Sequence, residues 1–186
     1  MIIQGYRNFL DPEAYAADPV MELSRLYRLV NRIAGYHDRR AALPGQRDKL
    51  AERREELAIL ETAIAEGDKS KKSEAKKVRA EVAGLSETVA GSETEVAAVE
   101  ADGSLASIAA QHPDIADASR AETAKLHSGD PENRALWEEF LPVCLEMMES
   151  IYQRLGIQFD LTLGESHYQP MLADVVESLS QQGLAS

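Results

Sequence analysis

Few side chains in this chain are placed to do chemistry. His37, His112, His127 and His167 are scattered along 186 residues with no ligand-like spacing. There is no HExxH, CxxC, GxGxxG or GxxxxGK[ST] string, so the usual metal, redox and phosphate-cradling signatures are missing. The lone Cys144 excludes an intrachain disulfide and a cysteine-based zinc cage. It falls on an apolar stripe, where a small hydrophobe is the ordinary reading.

Two clusters remain. Gly164, Glu165, Ser166 and Tyr168 bring a carboxylate, a hydroxyl and a phenol together after a glycine. They read either as a polar functional cluster or as a helix cap with Tyr168 packed beneath it. Lys69, Lys71, Lys72, Lys76, Lys77 and Arg79 form the one dense basic run. That run is either the solvated start of a helix or, through Lys71, Lys72, Lys76 and Lys77, a contact with RNA phosphates at the tip of an arm.

The bulk composition narrows what can position these groups. The net charge is −12, which argues against a broad basic surface for nucleic acid but leaves room for one local patch. The hydrophobic fraction of 44% is inflated by alanine, and only 5% of the residues are aromatic. Such a profile suits helices with narrow apolar stripes better than a sheet-centred core. No signal peptide is visible and no apolar run approaches membrane-spanning length, so the cytoplasm is the expected compartment.

The chain divides into three expected parts: 1–36, 37–103 and 104–186. Residues 1–10, MIIQGYRNFL, are apolar from the start and read as a short helix tucked against the body or as the middle of a buried element. Asp11-Pro12 and Asp18-Pro19 are helix-start signals. The second opens a helix over roughly 19–35, apolar at Leu23, Leu26, Tyr27, Val30 and Ile33, with Arg25, Arg28 and Arg32 on a face that is either solvated or phosphate-facing. Pro44-Gly45 is expected to break the chain. Leu50, Leu57, Leu60 and Ile64 then fall on heptad positions with Arg53 as a mismatch. After Gly67-Asp68 a second run carries Val78, Val82, Leu85, Val89, Ser92, Val96 and Val99. The two runs predict an antiparallel coiled-coil hairpin.

Two short helices are expected around Pro113. A longer one follows Asp130-Pro131, with a wide apolar stripe from Trp137 and Phe140 to Leu155, kinked or split at Pro142 and stopped by Gly156. IQFDLTL, residues 157–163, alternates as a half-buried extended segment. A final helix from about Pro170 presents Leu172, Val175, Val176 and Leu179 on one face and stops at Gly183.

The order of these strings carries a resemblance. Leu126-His127-Ser128-Gly129-Asp130 with Trp137 is followed by Tyr152-Gln153-Arg154-Leu155-Gly156-Ile157-Gln158-Phe159-Asp160. Then come Gly164-Glu165-Ser166-His167-Tyr168, Met171-Leu172 and Gly183-Leu184. This resembles a segment of the catalytic domain of arginyl-tRNA synthetases, a class I family. Met1-Ile2-Ile3-Gln4-Gly5-Tyr6 and the run from Asp18-Pro19 to Tyr27 are similar to the stretch that follows the HIGH-type motif there.

His127 replaces the family's Gln, His167 stands where an aromatic or Leu is usual, and residues 38–103 look like an insertion. Lys69-Ser70-Lys71-Lys72-Ser73 is similar to the family's lysine loop in composition only, because it lies in a hairpin turn far before that loop's place.

The resemblance implies a mainly α, helical fragment of a Rossmann-like catalytic domain with an inserted coiled-coil hairpin and at most one or two short strands. It implies a parent enzyme that uses ATP, arginine and tRNA, with the remainder of the catalytic domain as a packing partner. The HIGH-type and KMSKS-type motifs do not occur in these 186 residues. No catalytic, ATP-binding or metal-ligating residue is therefore assigned, and the chain is expected to be inactive alone. A free-standing helical interaction protein is the alternative; it accounts for the heptads and acidity but not for the GESxY string.

Overall fold

The computed structural model describes residues 1–168 and 171–184. It divides into two compact units, Met1–Val143 and Cys144–Ser186. All regular structure among the described residues is helical.

In the first unit, α1 (Ile2–Phe9) and α2 (Pro12–Ala17) lead into α3 (Pro19–Ala65). Both expected caps are in place. Asp11 accepts hydrogen bonds from the amides of Glu13 and Ala14 at 3.0 and 3.1 Å, and Asp18 accepts from that of Met21 at 3.0 Å. Each cap satisfies amides that a helix start otherwise leaves unpaired.

Helix α3 is the spine. It has 47 residues, on the order of 70 Å at 1.5 Å per residue. Leu23, Leu26, Val30 and Ile33 along it are fully buried or nearly so. The expected break at Pro44-Gly45 does not occur. Proline there leaves the carbonyl of Arg40 without its helical amide, a cost of about 3 kcal/mol in isolation. The buried residues on either side, Leu43 and Leu50, share a core with Val89, Val96 and Val99 of the returning helix. That packing holds the backbone helical through the proline. The expected boundary between residues 36 and 37 consequently falls inside one helix.

Gly67, at a φ of 109°, reverses the chain after α3. A 3₁₀ turn over Lys69–Lys71 opens into α4 (Lys72–Glu100), which returns along α3. The hairpin seam is the one the heptads predict. Leu60, Ala75 and Val78 form its distal core, with Leu57, Ile64 and Val82 against it. Ser92 is buried in the seam as expected. Arg53 interrupts the apolar register for a reason: its guanidinium pairs with Glu56 on its own helix and, at 3.4 Å, with Glu81 on α4.

At the base of the hairpin, Tyr36 donates to Glu100 at 3.3 Å, and a His37 ring nitrogen lies 3.1 Å from the carbonyl oxygen of Ala109. Ala109 belongs to α5 (Gly103–Gln111), which is capped by Asp102. Helix α6 (Ile115–His127) then leads to α7 (Pro131–Leu155). Pro142 stands inside α7 rather than splitting it.

Helix α1 crosses α3 at unusually close range. A methyl built on Gly5 would stand 3.0 Å from Leu26 Cβ and 3.2 Å from both the Leu26 carbonyl oxygen and Val30 Cγ2. Gly84 in α4, by contrast, faces open space. Urea unfolding should therefore separate two glycines that look alike in sequence. Gly5→Val should lower stability by about 1–3 kcal/mol through overpacking, and Gly84→Ala should raise it by up to about 1 kcal/mol through helix propensity.

Candidate functional site

The family-like strings turn out to be punctuation for helices. In LHSGD, Gly129 adopts a φ of 84°. The amides of Gly129 and Asp130 then reach back to the carbonyls of Leu126 and Lys125, at 3.2 and 3.0 Å, closing α6 in the pattern that left-handed glycine permits. Asp130 at once caps α7, accepting from the Asn133 amide at 3.0 Å. Gly156, at a φ of 68°, ends α7 in the same way, with the Ile157 amide bonded to the Tyr152 carbonyl at 2.9 Å. Gly183, at 67°, ends α9 (Leu172–Gln181).

Behind the LHSGD corner lies a polar network that pattern reading did not find. Asn133 is fully buried, and its amide nitrogen donates to the Glu122 carbonyl oxygen at 2.8 Å and to Glu122 Oε2 at 3.0 Å. Arg7 on α1 donates to Asn133 Oδ1 at 2.8 Å and to Glu132 at 3.2 Å. Lys125 pairs with Glu122 at 2.7 Å. Three helices, α1, α6 and α7, are thereby fixed through one amide. The only hint in sequence was an Asn at the third helical position, where a capping box would place Glu or Gln.

A second buried carboxylate, Glu22, holds the start of α3. It accepts from the Asp11 amide at 2.9 Å and is gripped by Arg25 at 2.6 and 2.7 Å. Arg25 also donates to the Phe9 carbonyl oxygen at 2.7 Å. The arginine face of α3 thus begins with a residue committed to internal structure. Beside this corner, Tyr6 packs against Tyr15 and Phe140 with ring centroids 5.5 and 5.0 Å apart.

The basic run sits where the hairpin reverses. Lys71 pairs with Glu74 at 3.0 Å and Arg79 pairs with Glu61 on α3. Lys69, Lys72, Lys76 and Lys77 are exposed and have no ion-pair partner among the described residues.

The second unit differs in kind. Helix α7 continues there to Leu155, followed by α8 (Glu165–Tyr168) and α9. Residues 157–163 form no strand and are exposed throughout, including Phe159 at 57% and Leu161 at 71%. The expected half-burial fails: no strand pairs with the segment among the described residues, and Phe159 meets the Tyr152 ring of α7 edge-on at 4.9 Å yet stays more than half exposed. The stripe expected to be core on α7 is buried at Phe140 in the first unit, whereas Leu145, Met148, Ile151 and Leu155 are exposed and Cys144 is half-buried. Leu172, Val175, Val176 and Leu179 on α9 are exposed as well.

Gly164 accepts from the His167 amide at 3.0 Å. Tyr168 is half exposed and stacks edge-on to His167 at 5.1 Å, so it is not packed beneath a helix. The side chains of Glu165 and Ser166, like Pro170 at the expected start of the last helix, lie outside the described residues.

Among the described residues no group of three or more His, Cys, Asp or Glu is arranged to hold a metal ion, and no helix is long and apolar enough to cross a membrane.

Comparison with known proteins agrees with these strings. The family described as tRNA synthetases class I (R), catalytic domain, matches residues 64–186. The chain therefore belongs to the class I tRNA synthetase catalytic-domain family, in its arginyl branch.

The arginine–tRNA ligase of Rhodopirellula baltica is 43% identical over 196 aligned positions, covering the whole chain and 29% of that protein. The arginine–tRNA ligase of Fusobacterium nucleatum is 40% identical over 77 residues, 41% of this chain and 14% of that one. That of Latilactobacillus sakei is 38% identical over 74 residues, covering 40% and 13%. The chain thus spans less than a third of the length of these relatives. No solved structure matches it.

The two buried carboxylates make stability depend on acid. Arg25's hydrogen bonds hold Glu22 below the ordinary glutamate value of 4.5, against a smaller opposing effect of burial. Lys125, then Asn133 and Arg7, do the same for Glu122. A depressed carboxylate stabilises the fold above its unfolded value, and that contribution is lost as pH falls through the folded one. Thermal melts of the wild type should hold steady above pH 5 and fall progressively below 4.5. The Glu22→Gln, Glu122→Gln double variant should melt lower at neutral pH and lose less on acidification.

Proposed function

We propose that this chain forms the helical connecting part of the catalytic domain of an arginine–tRNA ligase, an enzyme that activates arginine with ATP and transfers it to tRNA in the cytoplasm. The observation that carries the proposal is the apolar surface of residues 144–184. Leu155, Phe159, Leu161, Leu172, Val175 and Val176 are all more than half exposed. Covering a side chain of this kind is worth about 1.5–3 kcal/mol, so leaving so many uncovered in one stretch marks a docking surface rather than scattered exposure.

The occupant we assign is the rest of the catalytic domain. The family match runs through this stretch to the last residue, and the chain accounts for 29% of the Rhodopirellula baltica relative. No step of the chemistry with ATP is assigned to a residue of this chain, and no metal is invoked.

Residues 37–103 act in this reading as an inserted arm. Its support is the contrast in aligned length: one relative aligns across the whole chain, whereas the Fusobacterium nucleatum and Latilactobacillus sakei enzymes align over 77 and 74 residues.

The corresponding segment of the Rhodopirellula baltica ligase can be replaced by this chain. The chimera should catalyse arginine-dependent ATP–pyrophosphate exchange with tRNA present, whereas the purified 186-residue chain should not. Introducing Leu172→Asp and Val176→Asp into the chimera should reduce exchange at least tenfold. Full activity of that double variant, or robust exchange by the chain alone, would overturn the proposal.

A further inference from the structure

The cations of the hairpin are not treated alike. Along the arm four arginines are matched across the seam: Arg39 with Glu95 at 2.8 Å, Arg47 with Glu93 at 2.6 Å, Arg53 with Glu81 at 3.4 Å, and Arg79 with Glu61. Arg40 and Arg54 donate to the Tyr36 and Ser86 hydroxyls, and Lys49 is a lone exposed cation among the described residues. Beyond the last of these pairs the pattern stops. Lys69, Lys72, Lys76 and Lys77 crowd the 3₁₀ turn and the first turns of α4, exposed and without an anionic partner among the described residues.

This placement is unfavourable within the chain. Lys72 and Lys76 are four apart on one helix face, and such like-charge pairs destabilise a helix. Positive charge in the first turn also opposes the helix dipole. Of the acids in this turn, Glu74 pairs with Lys71 and Asp68 is bonded to Ser70, while Glu66 makes no ion pair with these lysines among the described residues. The pair with Glu74 is solvent-exposed and weak, so Lys71 can leave it for a stronger anion.

We propose that the hairpin tip, through Lys69, Lys72, Lys76 and Lys77 with Lys71 at the margin, binds the phosphate backbone of RNA. This deepens the ligase reading and rests on it for the choice of RNA. The chemistry at the tip fits phosphate. Ammonium groups on flexible stems bind phosphate as point charges without demanding fixed geometry. A membrane surface fits less well, since residues 66–77 present no large apolar side chain that could enter lipid. The reach also fits: α4 alone has 29 residues, about 43 Å at 1.5 Å per residue. That length sets the contact well away from the helices at the base.

The test uses the 186-residue chain, a fluorescent tRNA transcript and vesicles of phosphatidylserine and phosphatidylcholine. A tip variant carries Lys69→Gln, Lys72→Gln, Lys76→Gln and Lys77→Gln. A control carries Arg28→Gln, Arg32→Gln, Lys49→Gln and Arg120→Gln, so both change net charge by the same amount. Each phosphate contact adds about 0.7–0.9 to the slope of log affinity against log salt.

The tip variant should lose about 3 from that slope and at least tenfold in affinity at 0.1 M salt, whereas the control should stay within twofold of wild type. Equal losses in both variants, an unchanged slope in the tip variant, or tip-dependent binding to vesicles with none to tRNA would each overturn the assignment. Circular dichroism should show the same helicity for all three proteins. The outcome is independent of the chimera: an inactive chimera with intact tip-dependent RNA binding rejects the ligase reading alone, and the reverse rejects the tip alone.

Discussion

Almost everything in residues 1–143 depends on one stripe along one helix. Helix α3 has too few apolar residues to be stable on its own polar faces, and a long helix gains its stability in proteins by packing its amphipathic face. The first turns of that stripe, Leu23 and Leu26, are closed by α1, which can approach only because Gly5 lacks a side chain. Its middle, Val30, Ile33 and Tyr36, joins residues of α4, α5 and α6 in one core. Its far end, Leu60, is closed by Ala75 and Val78. Removing any of these partners would expose part of that stripe.

Polar residues fix the arrangement that the apolar stripe permits. Hydrophobic burial is not directional, so it cannot decide how α1, α6 and α7 meet at their ends. Asn133 decides it, because each hydrogen bond it makes requires a specific partner on another helix. Glu22 plays the same part for the loop between α1 and α2, taking the Asp11 amide and Arg25 together. Burying these groups without partners would cost several kcal/mol, which is why the network is complete rather than partial. The family-like glycines have an equally local role. Gly129, Gly156 and Gly183 each supply the positive φ that closes a helix.

How much of this was legible in the sequence varies with the cause. The hairpin was, because a repeat of seven is a statement about one face of a helix and needs no knowledge of the partner. The caps at Asp11, Asp18 and Asp102 were, or could have been, because they act on their own next turn. Pro44 was misread for the opposite reason. Its local cost is real, and only the packing of Leu43 and Leu50 against α4, remote in sequence, outweighs it.

The stripe from Leu145 to Leu155 and the segment 157–163 were misread more instructively. Their patterns say that they are made to be covered, and they are, in composition, a core. In this chain that core has no other half among the described residues. The network around Asn133 left almost no trace in pattern, since a single Asn can equally be a surface residue. The arginine-ligase strings were legible as strings, but their glycines explain themselves as helix ends, and a family resemblance alone does not make them a site.

The central proposal is that residues 144–184 form a docking surface for the rest of a catalytic domain, whereas residues 1–143 carry a buried core of their own. Amide hydrogen exchange measures this most directly, because protection reports local opening rather than global stability. In the 186-residue chain, amides of the buried stretches of α3 and α4 should be protected to the full unfolding free energy, and those of α9 should exchange at nearly the rate of open chain. In the active chimera the α9 amides should become protected. Strong protection of α9 in the isolated chain, equal to that of α3, would contradict the account.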